Sequence, residues 1–234
     1  MRVGRKKLKQ ILETIAVMFP EAKGELDWEQ PFQLLIAVIL SAQTTDKAVN
    51  KITPQLWLKY PKIEDLANAQ LADVEDALRT IGLYKNKAKN IIKTAQVILS
   101  DFDGQVPKTH VELESLPGVG RKTANVVLGE IYGIPSIAVD THVSRVAKRL
   151  NISAPDADVT QIEADLMAKI PKKDWVITHH RLIFFGRYHC LAKNPKCATC
   201  PLQDSCFITK KTSKRKPKGF LFDIIFLKIL YSNS

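Results

Sequence analysis

Apolar runs long enough to cross a bilayer are missing from this chain of 234 residues. A transmembrane helix needs about 20 such residues. The strongest candidate, Phe220 to Tyr231 (FLFDIIFLKILY), is shorter and is interrupted by Asp223 and Lys228. No membrane is therefore expected as a partner. Alternation at period two, the mark of a half-buried strand, is absent as well, which argues for an all-α fold. Acidic residues are in deficit: 24 Asp and Glu stand against 35 Lys and Arg, a formal net charge of +11. That imbalance favours an anionic partner. Cysteine is scarce, with four in all. The amino-terminal basic run is followed by Glu13 and lacks a small-residue cleavage site, so a secretion signal is not expected. A reducing, cytoplasmic setting is expected instead, where thiols serve as ligands more often than as disulfides.

What the chain does contain is a succession of helical stripes. Leu8, Ile11, Leu12, Ile15, Met18 and Phe19 form the first, which stops at Pro20. Phe32 to Leu40 reads as a buried helix, and Thr45 or Asp46 can cap the next, which carries Ala48, Val49 and Ile52. Pro54 and Tyr60-Pro61 punctuate the chain before helices at about 70–80 and 86–100. Between those two, Ile81-Gly82-Leu83-Tyr84 sets large apolar side chains beside a glycine in a turn. They either tuck into the core or present a wedge to a ligand. Later helices are expected over Ala157–Ile170 and Trp175–Phe185. His179 and His180 in the last of these lack the i, i+4 spacing of a metal pair and read as surface or packing residues.

The most informative stretch is Leu116-Pro117-Gly118-Val119-Gly120-Arg121-Lys122-Thr123-Ala124. A short helix from Thr109, a proline–glycine turn and a second helix ending at Gly133 make 109–132 a helix-hairpin-helix. Unpaired N–H groups at such a turn can bind a phosphate oxygen. Arg121 and Lys122 stand in the first turn of the second helix, against its dipole. Cations in that place suggest a bound polyanion, or an amine that must shed its proton to react. Farther on, Val139-Asp140-Thr141-His142-Val143 opens another helix, with Asp140 at its N-cap. A carboxylate there can both cap the helix and face a developing cation.

The cysteines Cys190, Cys197, Cys200 and Cys206 follow the spacing C-x6-C-x2-C-x5-C. Four thiolates in so short a segment suit zinc or an iron–sulfur centre. A single C-x2-C knuckle, where zinc ribbons usually have two, leans toward a [4Fe–4S] cluster. Arg187, Lys193 and Lys196 crowd this region and would meet backbone phosphates.

Together the glycine turn, the Asp140 motif, the cysteine spacing, Ser41-Ala42-Gln43-Thr44-Thr45-Asp46 and Gly82-Leu83-Tyr84 resemble the endonuclease III family of helix-hairpin-helix DNA glycosylases, from about residue 5 to about 215. The resemblance implies a bifunctional glycosylase and AP lyase acting on duplex DNA that contains damaged pyrimidines or abasic sites. On it, Lys122 matches the nucleophile and Asp140 the essential carboxylate. Gln43 and Leu83 match residues that fill and wedge the helix when a nucleotide is flipped out. Gly118, Gly120, Arg121 and His142 fall in the motifs that meet DNA. The cysteines match the ligands of a [4Fe–4S] cluster.

The implied architecture is two helical domains with the active-site cleft between them, in a chain acting as a monomer. A six-helix domain spans 25–134, and a cluster domain joins 1–24 to 135–212. A basic then apolar tail at 213–234 departs from the family pattern. Two other readings bear weighing. Adenine glycosylases of the same superfamily lack a lysine at the position of Lys122 and carry a further domain. A non-enzymatic DNA-binding module would need no carboxylate beside its phosphate ligands, which Asp140 supplies.

Overall fold

The computed structural model describes residues 2–207, and the expected tail at 213–234 lies outside them. Among the described residues there is no strand, and no helix is long and apolar enough to cross a membrane. The helices are α1 (Arg5–Met18), α2 (Pro31–Leu40), α3 (Asp46–Lys59), α4 (Ile63–Ala67), α5 (Leu71–Ala77), α6 (Tyr84–Asp101), α7 (His110–Ser115), α8 (Arg121–Tyr132), α9 (Thr141–Arg149), α10 (Val159–Met167) and α11 (Trp175–Phe184).

Local chemistry explains most of these bounds. Pro31 opens α2, as suits a residue with no N–H to satisfy, and Phe32 through Leu40 are all buried. Thr45 caps α3 by accepting from the Ala48 N–H at 3.2 Å, and Thr109 caps α7 in the same way through Glu112. Gly133 ends α8 in the left-handed region at φ 62°, a conformation that costs glycine little.

One expectation fails. Pro54 does not punctuate the chain: α3 runs through it to Lys59. A proline removes one helical hydrogen bond, but Val49, Thr53 and Leu56 bury a common face on both sides of it and hold the helix together. A helix without any periodic signal in the sequence is α4. At five residues it is too short to show a stripe, yet Ile63, Leu66 and Ala67 bury it against α6.

Two apolar cores result. One is built from α2 to α8, with Leu35, Ile36, Leu56, Leu78, Ile91 and Val127 at its centre. The other joins Leu8, Ile11 and Ile15 of α1 to residues between Ile137 and Cys206. The chain ends thus close on each other around the middle segment. The seam between the cores is polar. Asn125 of α8 donates to the Ile137 carbonyl at 3.0 Å, and Ser136 donates to the Asn125 carbonyl at 2.6 Å. Arg121 reaches across to the buried carboxylate of Glu163 in α10, with Nη2 to Oε1 at 2.6 Å.

Candidate active site

The seam opens on one side into a cleft of about 1140 Å³. Lys122 enters it from the first turn of α8, and Asp140 from the N-cap of α9. Asp140 accepts from the Val143 N–H at 2.7 Å, which fixes one oxygen and leaves the group half-buried at the cleft wall. Gln43 and His142 line the same cleft. A smaller hollow of about 80 Å³ adjoins it. Lys122, Asp140, Asp46, Arg187, Glu25 and Ser41 line both spaces and so mark their junction.

Backbone conformation sets the exposed edges. Gln43 and Leu83 both sit in the left-handed region, at φ 54° and 60°. For a branched side chain this costs roughly 1–2 kcal/mol. Leu83 is also 56% exposed, whereas Ile81 in the same turn is buried. The apolar pair of that turn therefore splits, one into the core and one into solvent. Gly118 has φ 79°, and a Cβ there would lie 2.8 Å from Asn90. Gly120 is different: its φ of −109° is open to any residue, and a Cβ would meet nothing within 4 Å. Its bare backbone leaves free space at the start of α8.

Several polar residues that local pattern did not place in the cleft converge here. Arg187 was expected beside the cysteines as a phosphate contact. Instead a π-helical turn, Phe185–His189, swings it into the cleft, where Nη2 bonds Asp46 at 2.9 Å and Nη1 pairs with Glu25. Burial pushes the Asp46 carboxyl up, and the nearby Lys122 opposes that shift. His179 and His180 are buried rather than on the surface. Desolvation, then the charges of His180 and Lys122, lower the His179 pKa to about 3, so its ring stays neutral. His180 Nε2 contacts Glu130 Oε1. Lys87, another buried cation, donates to Thr44 at 2.7 Å and anchors the 41–46 loop to α6; burial pushes its pKa down. These partners come from distant parts of the chain, so no local pattern could have marked them.

Arg121 is held by Glu163, so its charge is matched within the protein before any phosphate arrives. The four cysteines Cys190, Cys197, Cys200 and Cys206 surround a separate, apolar hollow. Burial first, and then the other three thiols, push the Cys200 thiol up. Four thiols lining one hollow are the donor set that would hold an iron–sulfur cluster. Arg149 braces this loop, donating to the Leu191 carbonyl at 2.6 Å and to Cys190 Sγ at 3.3 Å.

Residues 36–172 match the model of the HhH-GPD superfamily of base excision DNA repair proteins. The chain belongs to that superfamily. Residues 190–206 match the iron–sulfur binding domain of endonuclease III, and this segment is the HhH-GPD protein's site for a [4Fe–4S] cluster. The chain is 51% identical over 217 residues to endonuclease III of Bacillus subtilis (strain 168), spanning 92% of this chain and 98% of that one. It is 43% identical over 209 residues to endonuclease III of Escherichia coli (strain K12), spanning 89% and 99%. A solved structure of a trapped endonuclease III–DNA covalent intermediate superposes with a TM-score of 0.88 at 49% identity, covering 90% of this chain and 99% of that one.

Proposed function

We propose that this HhH-GPD protein is a bifunctional DNA glycosylase and AP lyase, which removes oxidised pyrimidines from duplex DNA and then cuts 3′ to the abasic site. The observation that carries the reading is one cleft, at the seam of two cores, lined by both Lys122 and Asp140. A lysine alone would suit phosphate binding. A lysine with a fixed carboxylate suits chemistry at a sugar carbon.

The target carbon is buried within a stacked duplex, so the nucleotide must first be flipped into the cleft. Leu83, apolar and exposed, wedges the stack, and Gln43 fills the gap. The turn at Gly118 and the open backbone at Gly120 receive a phosphate, and His142 faces the strand from the cleft wall. Departure of the base leaves positive charge on the sugar, which the Asp140 carboxylate stabilises. The neutral Lys122 amine bonds to that carbon as the base leaves with the electron pair of the glycosidic bond and takes up a proton. One nitrogen proton is lost and the ring opens at the bond from that carbon to the ring oxygen, which takes up a proton, leaving a protonated imine. It draws electrons from the neighbouring C–H bond, whose proton is lost as the 3′ phosphate departs. Water then releases Lys122.

A [4Fe–4S] cluster held by Cys190, Cys197, Cys200 and Cys206 would cross-link the 190–206 loop. The division into 25–134 and 1–24 plus 135–212, a monomeric state and a cytoplasmic setting belong to the same proposal; the two cores support the first.

Borohydride trapping on duplex DNA with a single abasic site or thymine glycol tests it. The intact protein should yield a covalent adduct, and Lys122→Ala should yield none. An adduct of equal amount from the variant would sink the assignment of the nucleophile.

A further inference from the structure

The chemistry above uses the junction of two spaces and one of them, the outer cleft. It leaves the inner hollow and its polar pair unassigned. Lys122 and Asp140 line both spaces, so a sugar carbon presented to them sits at the junction. The duplex occupies the open side. The base, one bond from that carbon, can then reach the inner hollow beside the cleft. At about 80 Å³ the hollow offers several times the roughly 10–15 Å³ a single water needs, room for one flat ring.

Its walls suit such a ring. Trp28, Leu34, Val38 and Phe184 supply apolar surface. Lys122, Val126 and Glu130 follow each other at i, i+4 and i+8 along α8 and all line the hollow. Eight residues of helix advance about 12 Å. Glu130 therefore stands at the far end from the attacking amine, where the polar edge of a flipped base would arrive. Its position is fixed on two sides. His180 pairs with it, and Gly24 packs closely on its other side, where a Cβ would lie 3.1 Å from Glu130 Oε2. The Glu130 and His180 side chains are only 19% and 10% exposed. The carboxylate and the imidazole line the hollow together, so a ligand with a polar edge could share their hydrogen bonds there.

We infer that Glu130 and His180 are the specificity-determining pair for the damaged base, with the carboxylate accepting from a ring N–H or exocyclic NH2 and the imidazole meeting the adjacent ring atom or carbonyl. This rests on the glycosylase reading and deepens it. Glu130 and His180 touch the base and not the sugar, so they act in base release and not in strand cleavage after the base has gone.

The experiment measures kcat/KM for release of 5-hydroxyuracil and 5-hydroxycytosine, and separately cleavage at a preformed abasic site, for cluster-loaded intact protein, Glu130→Gln and His180→Gln. Glutamine keeps the volume and offers a donor where glutamate only accepts. We expect Glu130→Gln to change the ratio of the two base-release rates by tenfold or more and His180→Gln to lower both by at least tenfold. Both variants should cleave abasic DNA within about twofold of the intact protein, since no base is present there to be read. An equal fall in base release and abasic cleavage would show a merely structural pair and overturn the inference, as would unchanged base release in both variants. Absence of base release and cleavage from the intact protein would overturn the glycosylase reading, and this inference with it.

Discussion

Arg121 and Glu163 meet across the seam between the two cores: Arg121 Nη2 lies 2.6 Å from Glu163 Oε1, and Nε lies 3.2 Å from both carboxylate oxygens. Asn125 Nδ2 adds a contact to Oε2 at 3.2 Å. The residue before the candidate nucleophile thus joins the hairpin helix to α10, and with it the lysine to the half of the protein that carries Asp140.

Removing the arginine should leave a buried carboxylate short of its main partner. Buried pairs cost about 3–5 kcal/mol when broken. The Arg121 side chain is 55% exposed, so screening reduces that to about 1–2 kcal/mol for Arg121→Gln. Urea unfolding reads it directly. The salt dependence of DNA binding should keep its slope, because that guanidinium is neutralised inside the protein; a slope lower by about one would assign it to a phosphate instead.

Asp140 combines a cap with a charge, and the two separate by substitution. Asn also caps helices well, so Asp140→Asn should keep stability within about 0.5 kcal/mol, while Asp140→Ala loses about 1 kcal/mol. Base release should drop on the order of 100-fold or more in both. Parallel thermal melts and excision assays check this, and full activity in the Asn variant would restrict Asp140 to capping.

Leu83 holds a strained backbone for the sake of an exposed apolar side chain. Asn tolerates the left-handed region and caps well. Leu83→Asn should therefore stabilise the protein by about 0.5–1 kcal/mol while slowing base release from duplex DNA. Release from single-stranded substrate should fall less, since no stack needs wedging there.

His179 makes stability depend on pH. Its pKa is lowered in the fold from 6.5 to about 3, so the unfolded chain binds a proton between those values and the folded one does not. Its contribution is present above about pH 6.5 and is lost as pH falls toward 3. One proton corresponds to about 1.4 kcal/mol per pH unit. Urea unfolding of intact protein and His179→Gln from pH 7 to 4 should show the variant's slope flatter by about that amount. Identical slopes would mean that the ring titrates normally.

Much of this molecule is local and could be read without coordinates. Helical periodicity marked α1, α6 and α8, because each buries a stripe long enough to repeat, and an unbroken apolar run marked α2, which is buried on every side. Turn and cap chemistry marked Thr45, Thr109, Gly118, Gly133 and Asp140, because each acts on backbone within a few residues of itself. The C-x2-C knuckle marked the cysteine segment for the same reason. Tertiary structure decided the rest, wherever the partner lies far along the chain. Pro54 stays helical because burial on both sides outweighs one missing hydrogen bond. Arg187 turns from the cysteine segment to Asp46 and Glu25 because a π-helical turn redirects it. Arg121 finds Glu163, and Glu130 finds His180, only after the two ends of the chain close around its middle. Spacing along a helix says which residues share a face; what that face meets is set by packing.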